Sequence, residues 1–165
     1  MLKGNTATNS IIENFNIALG DQTGKGSLFA DSEGSGLASL YDRDLKNHGV
    51  VMKEQEQVQI DTVENFCQQQ NIQQIDFLKL DVEGNEYKTL LGADKMLTEN
   101  KIKFIQFEFG GTDIDARVFF RDFYKLLSPQ YNLFRILKNG LQPIPAYNEA
   151  DEIFITTNYL AVLKG

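Results

Sequence analysis

The sequence has one cysteine among its 165 residues, which excludes an internal disulfide and a cysteine-based metal knuckle. Cys67 lies in Val63-Glu64-Asn65-Phe66-Cys67 among apolar helix positions, so a buried, inert thiol is expected there rather than a nucleophile. No apolar run is long enough to span a bilayer, and Met1–Ser10 is polar, without a signal-peptide core. A cytoplasmic protein with no membrane partner is expected. Positive charge is also scarce: 16 Lys plus Arg stand against 23 Asp plus Glu, a formal charge of −7. Affinity for nucleic acid rests on cationic contacts to phosphate, so no nucleic-acid partner is expected. Neutral ligands such as sugars stay open. Internal repeats and low-complexity tracts are absent too. What is present, 42% hydrophobic and 11% aromatic residues, suffices for one domain, 1–165, with a real core.

The chain divides into a polar front and a regular back. Ile11–Leu19 reads as a strand closing on the turn pair Gly20-Asp21. Gly24 to Gly49, rich in glycine, serine and charge, reads as a long and partly ordered excursion. Asp61 with Glu64 three residues on is a capping-box signature, followed by a helix with Val63, Phe66 and Cys67 on one face. Ile75–Val82 and Ile102–Phe109 are strand-length apolar runs of the kind found in buried parallel sheets. Between them lies a helix carrying Tyr87, Leu90 and Leu91, broken at Gly92. A helix over Asp115–Leu127 ends at Pro129, and Tyr131–Leu137, the turn Asn139-Gly140 and Asn158–Leu163 supply further strands. The pattern is α/β: a doubly wound, mostly parallel sheet with a C-terminal antiparallel edge.

Ligands of open α/β sheets bind beyond the carboxyl ends of the strands. Leu80-Asp81-Val82-Glu83-Gly84-Asn85-Glu86 lies at such an end, and Glu108 lies near the end of the following strand. If the two strands are neighbours, Asp81 and Glu108 share one mouth. There they could deprotonate a hydroxyl, grip a sugar or hold a divalent cation. Glu83 and Glu86 equally suit a helix start as caps. Lys79 interrupts a strand expected to be buried, and an ion pair with Asp81 on the same face is the leading reading over a catalytic lysine. His48 reads as a solvated loop histidine. Tyr41-Asp42-Arg43 reaches a substrate only if its loop folds over the site. Asp113 and Asp115 read as helix-start acids. Gly34-Ser35-Gly36 is a weak match to a nucleotide-binding loop, because no clear strand precedes it and no clear helix follows.

Ile-Asp-Phe-Leu-Lys-Leu-Asp-Val-Glu-Gly-Asn-Glu at 75–86, with Leu91-Gly92-Ala93 after it, closely resembles the hallmark segment of FkbM-type methyltransferases. Asn16–Asp21, Ala38-Ser39-Leu40, Ile60–Val63 and Gln106–Gly110 resemble further parts of that family in the same order. The resemblance implies a Rossmann-like class I fold and methyl transfer from S-adenosylmethionine to a hydroxyl of a sugar or natural product. On that template Ala18 and Leu19 lie near the adenine and Asp81 near the transferring methyl. Glu83, Glu86, Glu108 and Lys79 surround the acceptor. Asp81, Glu83 and Glu108 are the candidate catalytic residues. A divalent metal held by Asp81 and Glu108 is a second route, its ligands otherwise unknown.

The family's first strand, its glycine-rich loop and its acidic second-strand end have no counterpart here. The chain therefore reads as the C-terminal part of the domain, with weak or no cofactor binding alone. At ~4.8 Å per strand, two missing strands leave a gap of about 14 Å between strands three positions apart. Either Ile11–Leu19 moves across to pair with Ile75–Val82, or the latter becomes an exposed apolar edge. Such an edge invites self-association or completion by another chain. The alternative to an enzyme is a non-catalytic glycan-binding or assembly module.

Overall fold

The computed structural model describes residues 11–165, and the polar start at 1–10 lies outside them. A smaller sheet holds β1 (Ala18–Leu19), β2 (Gly24–Ala30) and β3 (Glu54–Asp61) in the order β1-β3-β2. A larger one holds β4 (Ile75–Lys79), β5 (Ile102–Phe109), β6 (Tyr131–Leu137), β7 (Gly140–Ile144) and β8 (Thr157–Leu163), in the order β4-β5-β8-β6-β7. The helices are α1 (Val63–Gln69), α2 (Glu86–Leu91), α3 (Asp94–Thr98), α4 (Gly111–Ala116) and α5 (Phe120–Leu127). Among the described residues, no helix is long and apolar enough to cross a membrane.

The α/β class holds, but the expected mostly parallel sheet is corrected to two mixed sheets. Only β1–β3 and β4–β5 run parallel. Parallel neighbours need a crossover connection, which α2 and α3 supply between β4 and β5. The β6–β7 hairpin turns through Lys138-Asn139 into Gly140, whose φ of 144° suits glycine. β8 enters antiparallel to both β5 and β6, so antiparallel pairing reaches well inside the sheet.

Several local expectations change as well. Of Ile11–Leu19, only Ala18–Leu19 is strand, and it pairs with β3 rather than with β4. β4 is therefore the edge of its sheet. The start of the excursion is a strand, Gly24–Ala30, which pairs with Glu54–Asp61 along its whole length. Glu54-Gln55-Glu56-Gln57 carries no apolar alternation because this strand is exposed over most of its length. The α1 cap is Thr62, whose hydroxyl accepts from Asn65 N at 3.1 Å. Asp61 instead accepts from Thr62 N and from the side chains of Thr23, Asn65 and Gln69. The helix expected over 115–127 divides in two at Arg117, which is left-handed at φ 59°.

The core lies on one face of the larger sheet. β5 turns Ile105, Phe107 and Phe109 inward, Phe107 stacks on Phe123 at 4.7 Å, and Phe120 meets Tyr159 at 4.6 Å. Tyr131 Oη donates to Ile102 O at 2.9 Å inside this core. The other face carries Phe77 and Phe104, which are register partners and both exposed. The expectation that both faces of β4 and β5 are buried is thus corrected: the helices cover one face only.

The two sheets meet at a narrow junction. Asn85 Nδ2 and Thr89 Oγ1 both donate to Leu19 O, at 2.7 and 3.0 Å, and Glu64 N donates to Gly92 O at 3.0 Å. A Cβ on Gly92 would run into Gly20 O, so only glycine permits this approach. Gly92→Ala is expected to destabilise the protein by roughly 1–3 kcal/mol through overpacking. Gly24→Ala, whose Cβ meets nothing within 4 Å, should have a far smaller effect. Denaturant midpoints of the two variants, compared at equal slope, check this.

Candidate functional site

The site forms where β4 and β5 end side by side. After Lys79 and Leu80 the chain turns sharply: Glu83 has φ 52° and Gly84 φ 103°. Glu86 closes the turn by accepting Val82 N and Gly84 N at 2.9 and 2.8 Å. Its carboxylate is 1% exposed. Burial raises its pKa, the two N–H donors lower it, and the charge of Glu108 adds to the rise. Glu86 therefore lies beneath the turn as its clamp, and holds Asp81 and Glu83 above it.

The turn after β5 is built the same way. Gly110 N donates to Asp113 Oδ2 at 2.8 Å. Asp113 is fully buried and its Oδ1 has no hydrogen-bond partner. Burial pushes its carboxyl from 3.8 up to about 8, and the charges of Glu86 and Glu108 push the same way. Asp113 was expected only as a helix-start acid. The signal for more was its place three residues after Gly110, the first residue past β5.

Asp81 and Glu108 do come together. Burial and the charges of Asp81 and Glu83 hold the Glu108 carboxyl above its usual range. Asn158 Nδ2 donates to Glu108 Oε1 at 3.3 Å, and Gln106 Nε2 donates to Asn158 Oδ1 at 2.7 Å. The expected Lys79–Asp81 pair forms at 2.5 Å, but on the surface, with both side chains half exposed. The assumption of a buried lysine fails because β4 is an edge strand.

The Tyr41-Asp42-Arg43 segment folds onto the site. Ser39 Oγ donates to Glu83 O at 2.7 Å, and Arg43 Nη1 donates to Glu83 Oε2 at 2.9 Å. Arg43 Nε also reaches Asp115 Oδ2 at 3.4 Å. This docking depends on contacts between segments far apart in the chain, and no local pattern announces it. Lys88 Nζ sits over the Tyr41 ring at 5.4 Å. His48 stands exposed on a single 3-10 turn, Cys67 is buried with its thiol pushed up, and no helix follows Gly34-Ser35-Gly36.

Beside these carboxylates, a cleft of about 500 Å³ opens between the two sheets. Ala18, Leu19, Lys79 and Asp81 line it together, with Val58 and Leu78. Glu83, Glu86 and Glu108 lie outside its lining. Among the described residues, no group of three or more His, Cys, Asp or Glu could hold a metal ion.

An α/β frame whose strand ends carry a cleft and a carboxylate cluster suits a small-molecule enzyme. Residues 4–136 match the family model described as the methyltransferase FkbM domain, and the chain belongs to that methyltransferase family. No curated protein and no solved structure gives a significant match.

The buried carboxyls make stability depend on pH. Asp113 binds its proton more tightly folded than unfolded, so its contribution is full below 3.8 and is lost as pH rises to about 8. Glu86 and Glu108, also raised, act in the same direction. Unfolding free energy is expected to fall by a few kcal/mol from this group between pH 5 and 8. In Asp113→Asn, which keeps an acceptor for Gly110 N, the slope should shrink. Urea titrations across that range measure both.

Proposed function

We propose that the protein is an S-adenosylmethionine-dependent O-methyltransferase, and that its described residues supply the acceptor side of a Rossmann-like site. The observation that carries this reading is the convergence of Ala18, Leu19 and Asp81 on one cleft, with Glu83 and Glu108 outside its lining and within electrostatic reach of each other. The apolar lining by Ala18, Leu19 and Val58 fits an adenine, while no glycine-rich loop among the described residues grips the methionine part. Cofactor binding by these residues alone is therefore weak. When bound, the cofactor supplies an electrophilic methyl group.

The protein's own residues do the rest. Glu108 takes the proton of the acceptor hydroxyl, and Asn158 orients its carboxylate. Asp81, paired with Lys79, faces the transferring group, and Glu83, held by Arg43, grips a second hydroxyl. In-line placement of acceptor and methyl supplies much of the rate. A polyhydroxylated acceptor, a sugar or a polyketide-like product, suits such a mouth. The weak grip on the cofactor favours one other reading, a glycan-binding module without catalysis.

The test combines labelled S-adenosylmethionine with polyol and sugar acceptors. Label is expected on oxygen as an ether, and melting temperature should rise with S-adenosylhomocysteine only at millimolar concentrations. Glu108→Gln should lower the rate by ~10²-fold or more at unchanged melting temperature. Glycan binding with no label transfer and no response to S-adenosylhomocysteine would leave the binding module.

A further inference from the structure

Among the described residues, helices cover one face of the larger sheet and leave the other bare, and the bare face is apolar across its width. Phe77, Phe104 and Val162 form one cross-strand row, and Leu160 and Phe134 stand side by side in the next. Ile136 and its partner Leu141 carry the surface on to β7, the edge strand farthest from β4. Cross-strand partners point to the same side of a sheet, so these side chains from all five strands share one surface. Phe77, Phe104 and Leu141 are 52%, 39% and 49% exposed on it.

Size and charge say what covers it. Five strands about 4.8 Å apart, each about six residues long at ~3.3 Å per residue, span about 500 Å². Two such faces in contact remove about 1,000 Å² from water, the size at which a specific protein interface becomes stable. Residues 1–10 bring only Met1, Leu2 and Ala7 as apolar side chains, too few for a surface this wide. Of the strand residues on this face, the ionisable ones are Lys79, which Asp81 pairs, and Glu108 at the end nearest the carboxylate mouth. The face therefore offers no charge by which an unlike partner would be selected. With a formal charge of −7, two copies repel wherever their acidic surfaces meet, and here they approach without that cost.

We propose that the bare face is a self-association surface: two copies pack these sheets against each other about a two-fold axis and bury Phe77, Phe104 and Leu141 of both. Pleated sheets pack face to face about 10 Å apart with their side chains interdigitated. A two-fold axis lets a single patch complement itself. Glu108 and Asn158 stand side by side at the margin of the face, where β5 ends, so the carboxylate mouth opens beyond the contact. The inference stands on the uncovered sheet and not on methyl transfer.

Sedimentation equilibrium of the full chain tests it. A mass of two chains is expected at about 50 µM, with a melting temperature that rises with protein concentration. Phe104→Lys and Leu141→Lys should each weaken the dimer about 100-fold or more. Leu137→Lys, on the same hairpin but on the other side of the pleat and 47% exposed, should leave it unchanged. In the wild-type chain, hydroxyl-radical oxidation of Phe77, Phe104 and Leu141 should fall several-fold between about 1 and about 100 µM, a reading that needs no variant to fold. A mass of one chain throughout that range overturns the inference. So does a dimer that Phe77→Lys breaks and Leu141→Lys spares, which places the contact on the β4 edge. Oxidation of the three residues that does not change while a dimer forms overturns it as well.

Discussion

Leu19 O accepts two hydrogen bonds from the far sheet, one from Asn85 and one from Thr89, and much of the architecture depends on that contact. Direct strand pairing between the two sheets does not occur, so their relative placement rests on side chains of α2 and its cap, and on the close approach of Gly92 to Gly20. Asn85 and Thr89 are both buried, and a buried carbonyl that lost its donors would carry a desolvation penalty of about 1–3 kcal/mol. The same contact sets the width of the cleft. It also places Ala18 and Leu19 opposite Asp81, which no local property of either segment would do.

A second constraint works under the site. Glu86 and Asp113 each cap a post-strand turn with a buried carboxyl, and each feels the charge of its neighbours. Two adjacent ionised carboxyls in such surroundings repel, so the proton on Asp113 keeps the pair compatible near neutral pH. The clamps trade stability for geometry. Glu86 holds the turn in which Glu83 and Gly84 take left-handed backbone, and Asp113 holds the extended Gly110.

Legibility in the sequence followed periodicity. β5, β6, β8 and α5 carry apolar residues at strand or helix spacing, so their existence could be read directly. β2 and β3 could not: β3 is exposed over most of its length and β2 is only half-buried, so neither has a reason to alternate. The burial of Lys79 was misjudged for a related reason: an apolar run announces a strand but not whether a neighbour covers its edge. Within the site, Asp81 and Glu108 were readable from their places at adjacent strand ends. Arg43 and Asp113 were not. The role of Arg43 depends on a long loop folding back, and that of Asp113 on the depth at which α4 packs.

The proposal of Glu108 as the base draws on the distribution of partners over the carboxylates. Asp81 has Lys79, and Glu83 and Asp115 share Arg43. Glu86 and Asp113 are bound by backbone N–H groups of the turns they clamp. Glu108 has an amide, Asn158, and no ion pair of its own. An ion pair already engages a carboxylate, and a turn clamp removes it from reach of an acceptor. Burial and the charges of Asp81 and Glu83 raise the basicity of Glu108 instead. The acids around it thus act by charge: each is neutralised enough to stay folded in place, and together they leave one carboxylate both accessible and hungry for a proton.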